Sequence, residues 1–420
     1  SDSTAAASTY GQFLSFNSDG YEITRSDSEH NNSSHNYVSW TFRKAPKFFD
    51  VVTYTGTGSA QTIAHNLGVK PGFYLVKQTS GSGGSWYGYH SGLDSTYTNP
   101  SGIRLDSTSA AFEANSSLWN LTFPTNTGFT VGTSTGVNAS GATYVAYLFA
   151  HNDGDGGFGP DGDSDIIKCG SYTGNASGTG PEINLGFEPQ WLLVKNANNS
   201  SADWLLLDVM RGWGMGDADI FLEPNSSGAD QGSQNWVDIT PTGFKITNAN
   251  GQINGLNQTH IYMAIRRGPL AAPESATDVF AIDQGDTTST DPQFISNFPV
   301  DMAITRYVAG SAEHNLGSRL TGATYGQTQN TNAFSGDNDF TWDYMNGWYA
   351  STRNTSHYSW MWKRAPSYFD VVAYSGNGVA GRTVSHNLGV APEMIWVKQR
   401  NVSQSWQVYH SGVDATAPED

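Results

Sequence analysis

The sequence has little cysteine, little positive charge and no long hydrophobic run, and each shortage excludes a class of protein. Its single cysteine, Cys169, excludes an intrachain disulfide and a cysteine-based zinc site. Lysine and arginine total 21 against 38 acidic residues, so the net charge of -17 offers no basic surface for nucleic acid. No apolar run approaches the roughly 18 residues of a membrane-spanning helix, so we expect no membrane insertion.

The residues that are abundant favour β-structure. Aromatic residues make up 13% of the chain and glycine occurs 47 times, a composition that supplies both packed cores and turns. Short apolar runs at 73–76 and 191–194 each follow a proline, as buried sandwich strands do. We predict an all-β fold of tandem β-sandwich modules, of concanavalin-like or jelly-roll type.

An internal repeat is the strongest pattern in the sequence. Segments 39–94 and 359–414 are near copies at an offset of about 320 residues. Within them, Phe49-Asp50-Val51-Val52 matches Phe369-Asp370-Val371-Val372. A weaker repeat of about 105 residues lies between the two copies.

The repeat predicts the organisation of the chain. In order, we predict the second half of a module at 1–46, a module at 47–150, an Asp/Gly-rich linker at 151–163, a module at 164–268, a linker at 269–277, a diverged module at 278–365 and the first half of a module at 366–420. Other copies of the chain, or further repeats of a longer polypeptide, would complete the two halves. We expect 49–52 to pair with 144–149, and 369–372 to pair with a strand equivalent to 37–41.

A longer pattern of residues resembles a known kind of repeat. It runs Tyr-Thr-Gly, His-Asn-Leu-Gly-Val-x-Pro, Val-Lys and Trp-x-x-Tyr-His, then Gly-Phe and Gly-x-x-Tyr-x-Ala-x-x-Phe. It resembles repeats in very long proteins of marine bacteriophages, and it is carried by 49–94, 123–150, 170–204, 241–267 and 365–414. The resemblance implies concanavalin A-like β-sandwiches, of lectin or laminin-G type, in tail fibres and other virion appendages. The third module departs from the pattern, with Asn297-Phe298-Pro299 in place of His-Asn-Leu-Gly.

The function implied by this resemblance is structural and adhesive. The chain would form part of a phage fibre or virion appendage, outside the cell, and would present repeated modules to host-surface glycans. A cellular extracellular adhesin or carbohydrate-binding module array is an alternative, and so is a structural filament without a ligand. We do not expect an enzyme, because glycoside hydrolysis needs two carboxylates about 5–9 Å apart and no Glu-x-Asp-x-Glu strand is present.

The acidic linker is the best candidate for a metal site. Calcium binds six to eight oxygen ligands on a flexible backbone, and acidic residues alternate with glycine here. They are Asp153, Asp155, Asp161, Asp163 and Asp165. The alternative is a solvated acidic linker, and no other motif requires a cofactor. Asp337-Asn338-Asp339 is a weaker candidate.

Aromatic residues fall into two groups according to the repeat. Those at matching module positions are predicted to pack in cores: Trp40, Trp86, Trp204, Trp360 and Trp406. Those without a match are candidates for stacking on a glycan, with partial burial as the alternative: Trp119, Trp213, Trp236, Trp342 and Tyr344. His65 and His386 precede matching turns, where they could contact a ligand, bind a metal or hydrogen-bond the turn backbone.

Overall fold

A computed structural model describes residues 13–18, 20–23, 31–33, 37–81, 83–216, 219–286, 292–336, 340–350 and 353–413. Across these residues regular structure is almost entirely β-strand, and the α-helices α1, α2 and α3 are single turns. The predicted all-β class is therefore confirmed. In the same residues, no helix is long and apolar enough to cross a membrane.

The strands form three complete units with an incomplete segment at each end. The first segment contains β1 (Phe13–Phe16) and β2 (Tyr21–Ile23). Unit 1 contains β3 (Phe49–Thr55), β4 (Gln61–Ala64), β5 (Pro71–Gln78), β6 (Tyr87–His90), β7 (Ser101–Arg104), β8 (Phe112–Glu113), α1 (Ser116–Trp119), β9 (Gly128–Val131), α2 (Thr135–Asn138) and β10 (Thr143–Ala150).

The second unit is built in the same way. It contains β11 (Ile167–Thr173), β12 (Glu182–Asn184), β13 (Pro189–Asn196), β14 (Trp204–Asp208), β15 (Asp219–Leu222), β16 (Gln231–Gln234), β17 (Val237–Thr240), β18 (Gly243–Ile246), α3 (Gly251–Asn254) and β19 (Thr259–Arg266).

The third unit and the last segment complete the described chain. Unit 3 contains β20 (Phe280–Gln284), β21 (Phe294–Ile295), β22 (Met302–Tyr307), β23 (His314–Ser318), β24 (Thr324–Gln327), β25 (Ser335–Gly336), β26 (Phe340–Thr341), β27 (Gly347–Ala350) and β28 (His357–Trp362). The last segment contains β29 (Met394–Val397) and β30 (Gln407–His410). Three short 3-10 helices lie at Ser91–Leu93, Ala276–Asp278 and Arg319–Thr321.

One strand order recurs in the three units. The large sheets run β3-β10-β5-β6-β7-β8, β11-β19-β13-β14-β15-β16 and β20-β28-β22-β23-β24-β25, and all pairings are antiparallel. Each unit also has a small sheet: β4-β9, β12-β18-β17 or β21-β27-β26. The tandem β-sandwich prediction is confirmed. The expected pairing in unit 1 also forms, since Phe49 lies opposite Phe149 and Val52 lies opposite Ala146.

Units 1 and 2 share a hydrophobic cluster. Along β13, Leu192 and Val194 belong to the core of unit 2, whereas Trp191 and Leu193 belong to a cluster that also contains the core of unit 1. A strand buried on both faces has no reason to alternate polar with apolar residues, and 191–194 is accordingly a continuous apolar run. Two neighbouring sandwiches are thereby fixed against one another.

Candidate functional site

Most of the predicted ligand-stacking aromatics lie in hydrophobic cores. Trp119 and Trp213 are fully buried, and Trp236 and Trp342 are each 6% exposed. The indole N–H groups of Trp119, Trp213 and Trp342 donate to backbone carbonyls at 2.7–2.9 Å. A buried indole cannot stack on a sugar arriving from solvent, so the ligand-binding prediction is wrong for these four residues. They fill core space that is particular to each unit, which explains why they have no match in the repeat.

Four of the five aromatics at matching positions are less buried than predicted, and Trp204 is the exception. Trp204 is 1% exposed, and its indole N–H donates to the Arg104 carbonyl of unit 1 at 2.8 Å. The other four are half-buried: Trp40, Trp86, Trp360 and Trp406. Tyr344 is half-buried as well, with its ring centroid 6.5 Å from that of Tyr349. An aromatic residue that recurs in the repeat therefore occupies the same place in each unit, but it is not necessarily fully buried there.

Carboxylates in and next to the acidic linker contact backbone N–H groups and a lysine of the protein itself. The Asp165 carboxylate accepts the backbone N–H groups of Gly154 at 2.8 Å and Gly156 at 3.0 Å. The Lys168 Nζ lies 3.6 Å from Asp165 and 3.4 Å from Asp153. These contacts link the two ends of the linker.

Carboxylates of the linker do not converge as metal ligands. Asp155 receives Lys47 Nζ at its carbonyl oxygen, at 2.6 Å, while Asp161 and Asp163 are exposed. Within the described ranges, no group of three or more His, Cys, Asp or Glu side chains could hold a metal ion. The weaker candidate, Asp337-Asn338-Asp339, lies outside the described residues.

The histidines before the matching turns hydrogen-bond the turn backbone. His65 Nδ1 accepts the Leu67 N–H, and His386 Nδ1 accepts the Leu388 N–H, both at 3.3 Å. Burial lowers the pKa of His65, which favours the neutral imidazole that this bond needs. The structural alternative for these histidines is confirmed. Cys169 is 2% exposed and burial raises the pKa of its thiol, as expected of an inert core cysteine.

A basic side chain occupies a corresponding place in each unit, near the end of the third strand of the sandwich. In unit 1 the Lys77 Nζ donates to the Gly84 carbonyl at 2.6 Å. In unit 2 the Lys195 Nζ donates to four backbone carbonyls at 2.8–3.3 Å, two of which, those of Asn199 and Ala202, lie in the loop that follows the strand. Burial lowers the pKa of Lys195 to about 8. In both units the loop therefore folds over the lysine and is held there by hydrogen bonds from its ammonium group.

Arg306 takes this place in unit 3, where its hydrogen bond within the described residues goes to His314 and not to a carbonyl of the following loop. The Arg306 Nη1 lies 3.3 Å from His314 Nε2. Its Nε is buried and has no hydrogen-bond partner in the described part of the chain. A cavity of about 520 Å³ opens beside it. The residues that give the cavity its chemistry are Arg306, Tyr307, Glu313, Asn315, Arg353 and His357.

The cavity combines positive charge with aromatic surface. The Arg353 guanidinium lies 5.0 Å over the Phe340 ring, and the rings of Tyr307 and His357 are 5.2 Å apart. Burial lowers the pKa of His357 and the nearby Arg353 lowers it further, so the imidazole is neutral near pH 7. Two guanidinium groups and one carboxylate thus line a cavity in a chain of net charge -17.

In the repeat, Arg306 aligns with Lys77 and Lys195, but the alignment does not indicate a cavity. The difference arises from the following loop, whose carbonyls cover the lysines of units 1 and 2. The presence of arginine in place of lysine at this position was the available signal, because a planar guanidinium with five donors is harder to satisfy than an ammonium group.

These features define a tandem β-sandwich protein with a polar cavity on its third unit. Residues 1–269 and 307–419 match the family model described as a domain of unknown function, DUF7483, and the chain belongs to that family. No curated protein and no solved structure matches the chain.

Proposed function

We propose that the chain is a structural and adhesive component of a phage fibre or other virion appendage, and that it attaches to host-surface glycans through the cavity of unit 3. The resemblance to repeats of marine bacteriophage proteins supports a virion location outside the cell. The cavity beside Arg306 is the observation that supports attachment. This function needs no catalysis and no cofactor.

The lining of the cavity favours an acidic glycan. A carboxylate or sulfate ester can pair with a guanidinium through two parallel hydrogen bonds, and two guanidinium groups, those of Arg306 and Arg353, line the cavity. The Tyr307 and His357 rings offer apolar surface to one face of a sugar ring. Asn315 and Glu313 can bind sugar hydroxyls.

The connections between units support the structural part of the proposal. Trp204 and Lys195 of unit 2 both donate to backbone carbonyls of unit 1, and His90 of unit 1 contacts the Tyr262 carbonyl of unit 2 at 3.0 Å. Buried contacts of this kind resist relative movement of neighbouring units. A stiff array of sandwiches is suited to holding a binding site at a distance from the virion.

An array of uronic acid, sulfated and neutral oligosaccharides tests attachment. The unaltered chain should bind acidic members, and Arg306→Ala should weaken that binding about tenfold or more, since a charge-assisted bidentate pair contributes roughly 1.5–3 kcal/mol. Arg382→Ala is the matched control, because Arg382 is an exposed arginine outside the cavity. Binding that is equal in both variants would contradict the proposed site.

Other outcomes of these experiments favour the alternatives. Absence of binding to any glycan would favour a structural filament without a ligand. Detection of the chain on cells but never in purified virions would favour a cellular adhesin or carbohydrate-binding array. Release of reducing ends from a polysaccharide, abolished by changing one Asp or Glu, would contradict the proposal that the chain is not an enzyme.

A further inference from the structure

We infer that the cavity of unit 3 binds preferentially a glycan that carries a free ammonium group as well as an acidic group, and that Glu313 binds the ammonium group. A uronic acid linked to an amino sugar with an unacetylated nitrogen is one such zwitterionic unit. The inference rests on the proposed function, because it names the class of glycan that the same cavity would bind.

The cavity contains charges of both signs that do not neutralise each other. Arg306, Arg353 and Glu313 all line it. Within the described residues, no ion pair joins Glu313 to either arginine or to any other cation. A guanidinium and a carboxylate attract each other strongly at close range, so their separation in one cavity provides places of opposite charge for a ligand.

The structural ion pairs elsewhere in the protein differ from this arrangement. The Arg211 Nε lies 2.7 Å from the Asp208 carboxylate, and the Arg364 Nη1 lies 2.6 Å from the Glu188 carboxylate. In both cases the carboxylate is already neutralised by its partner. The charge of Glu313 is not compensated in this way, so a cationic group of a ligand can compensate it.

A neutral amide orients the Glu313 carboxylate. The Gln327 Nε2 donates a hydrogen bond to the Glu313 Oε2, and the same amide nitrogen lies 3.5 Å from the Asn315 Oδ1. The Gln327 Oε1 in turn accepts a hydrogen bond from Asn330. These contacts fix the direction of the carboxylate without cancelling its charge, and in the described part of the chain its Oε1 accepts no hydrogen bond.

The aromatic surface of the cavity also favours a cation. The Tyr307 and His357 rings, 5.2 Å apart, line the same cavity as Glu313. The face of an aromatic ring attracts an ammonium group. Burial and the nearby Arg353 lower the pKa of His357, so its imidazole adds no positive charge that would repel one.

Other ligands would satisfy the cavity less completely. A sugar hydroxyl can donate a hydrogen bond to Glu313 but leaves its negative charge uncompensated. A glycan that is only acidic can pair with the guanidinium groups, but its charge is repelled by the Glu313 carboxylate. A ligand with one group of each sign avoids both costs, and we expect it to bind most tightly.

Two forms of one oligosaccharide test this preference. An oligosaccharide of alternating glucuronic acid and N-acetylglucosamine is titrated calorimetrically into the protein before and after chemical removal of its acetyl groups. The unaltered chain should bind the deacetylated form about tenfold more tightly, because a charge-assisted hydrogen bond is added. Glu313→Gln keeps an acceptor oxygen but removes the charge, so it should bind the two forms equally.

A control variant of equal charge is needed because the net charge of -17 would favour the less acidic glycan at any part of the surface. Glu182→Gln removes an exposed carboxylate from β12 of unit 2 and should keep the tenfold preference. Glu313→Lys should reverse the preference, since the cavity then favours the acetylated, purely acidic form. Glu313 is exposed, so circular dichroism should be the same for all these variants.

The outcomes separate failure of this inference from failure of the proposed function. Equal binding of the two forms by the unaltered chain would overturn the inference, and so would a preference that persists in Glu313→Gln. Attachment through the cavity would still stand if Arg306→Ala weakened the binding of both forms. If neither form binds but another acidic oligosaccharide does, the inference alone fails, and if no glycan binds, both fail.

Discussion

The Arg364 guanidinium binds both carboxylate oxygens of Glu188, with Nη1–Oε1 at 2.6 Å and Nη2–Oε2 at 2.7 Å. Both side chains are almost fully buried, at 3% and 2% exposure. Arg364 follows β28 of unit 3, whereas Glu188 precedes β13 of unit 2. The same guanidinium also binds Asp370, which follows unit 3 along the chain. One arginine thus joins three parts of the chain.

Removal of this arginine should destabilise the junction strongly. Arg364→Ala leaves the buried Glu188 carboxylate with only the more distant Arg267, whose Nε lies 3.9 Å away, and loss of one member of a buried pair costs about 3–5 kcal/mol of unfolding free energy. The matched control is Lys44→Ala at the corresponding place before unit 1. Lys44 is 59% exposed in its pair with Asp50, so its loss should cost less than about 1 kcal/mol. Urea denaturation measures both, and equal losses would contradict the assigned role of Arg364.

Mild acid should weaken the contact between units 1 and 2 through His90. The His90 Nδ1 accepts the Gly92 N–H at 3.0 Å, so its Nε2 donates to the Tyr262 carbonyl, and burial lowers the pKa of the imidazole to about 3. As the pH falls below about 6.5, the unfolded chain binds a proton at this residue that the folded chain does not accept. Stability is therefore lost between about pH 6.5 and pH 3.

A His90 variant tests whether this residue causes the pH dependence of the unfolding free energy. His90 should contribute up to about 1.4 kcal/mol per pH unit to the fall in unfolding free energy below pH 6, and His90→Gln should remove that part of the slope and leave the part due to His260, whose pKa burial lowers to about 4. His410→Gln, which changes an exposed histidine at the corresponding place in β30, should leave the slope unchanged. Thermal melts from pH 4 to 8 provide the measurement. A slope that is the same in all three proteins would show that another group is responsible.

The thermal stability of the linker between units 1 and 2 should depend on the Asp165 carboxylate rather than on bound calcium. Asp165→Asn weakens two amide hydrogen bonds and the contact with Lys168, so the melting temperature should fall by several degrees, corresponding to about 1–2 kcal/mol. EDTA should not change the melting temperature of the unaltered chain. A clear rise on adding calcium, reversed by EDTA, would instead establish the calcium site predicted from the sequence.

The fold was predictable because the repeat and its short apolar runs indicate the strands. The pairing of 49–52 with 144–149 followed from apolar runs that recur near the two ends of a module. Burial of the unmatched aromatics was not predictable in this way. Trp119 lies on α1, a single turn between strands of unit 1, and only the assembled sandwich places that turn inside.

Contacts between units were also beyond prediction from the sequence. Glu188 and Arg364 are separated by 176 residues, and nothing in their local sequence marks them as partners. The cavity of unit 3 depends on how one loop passes Arg306, whereas the loops of the other two units cover Lys77 and Lys195. Local patterns therefore indicate the strands, while the site depends on loop conformation and on the packing of distant segments.

The number of glycan sites per chain tests the central claim most directly. Isothermal titration would use the acidic oligosaccharide that binds best on the array. In units 1 and 2 the loop covers the corresponding lysine, so no cavity is available there. The account therefore predicts about one glycan site per chain, and it predicts that Arg306→Ala removes this site. Three sites per chain, or one site that persists in Arg306→Ala, would contradict it.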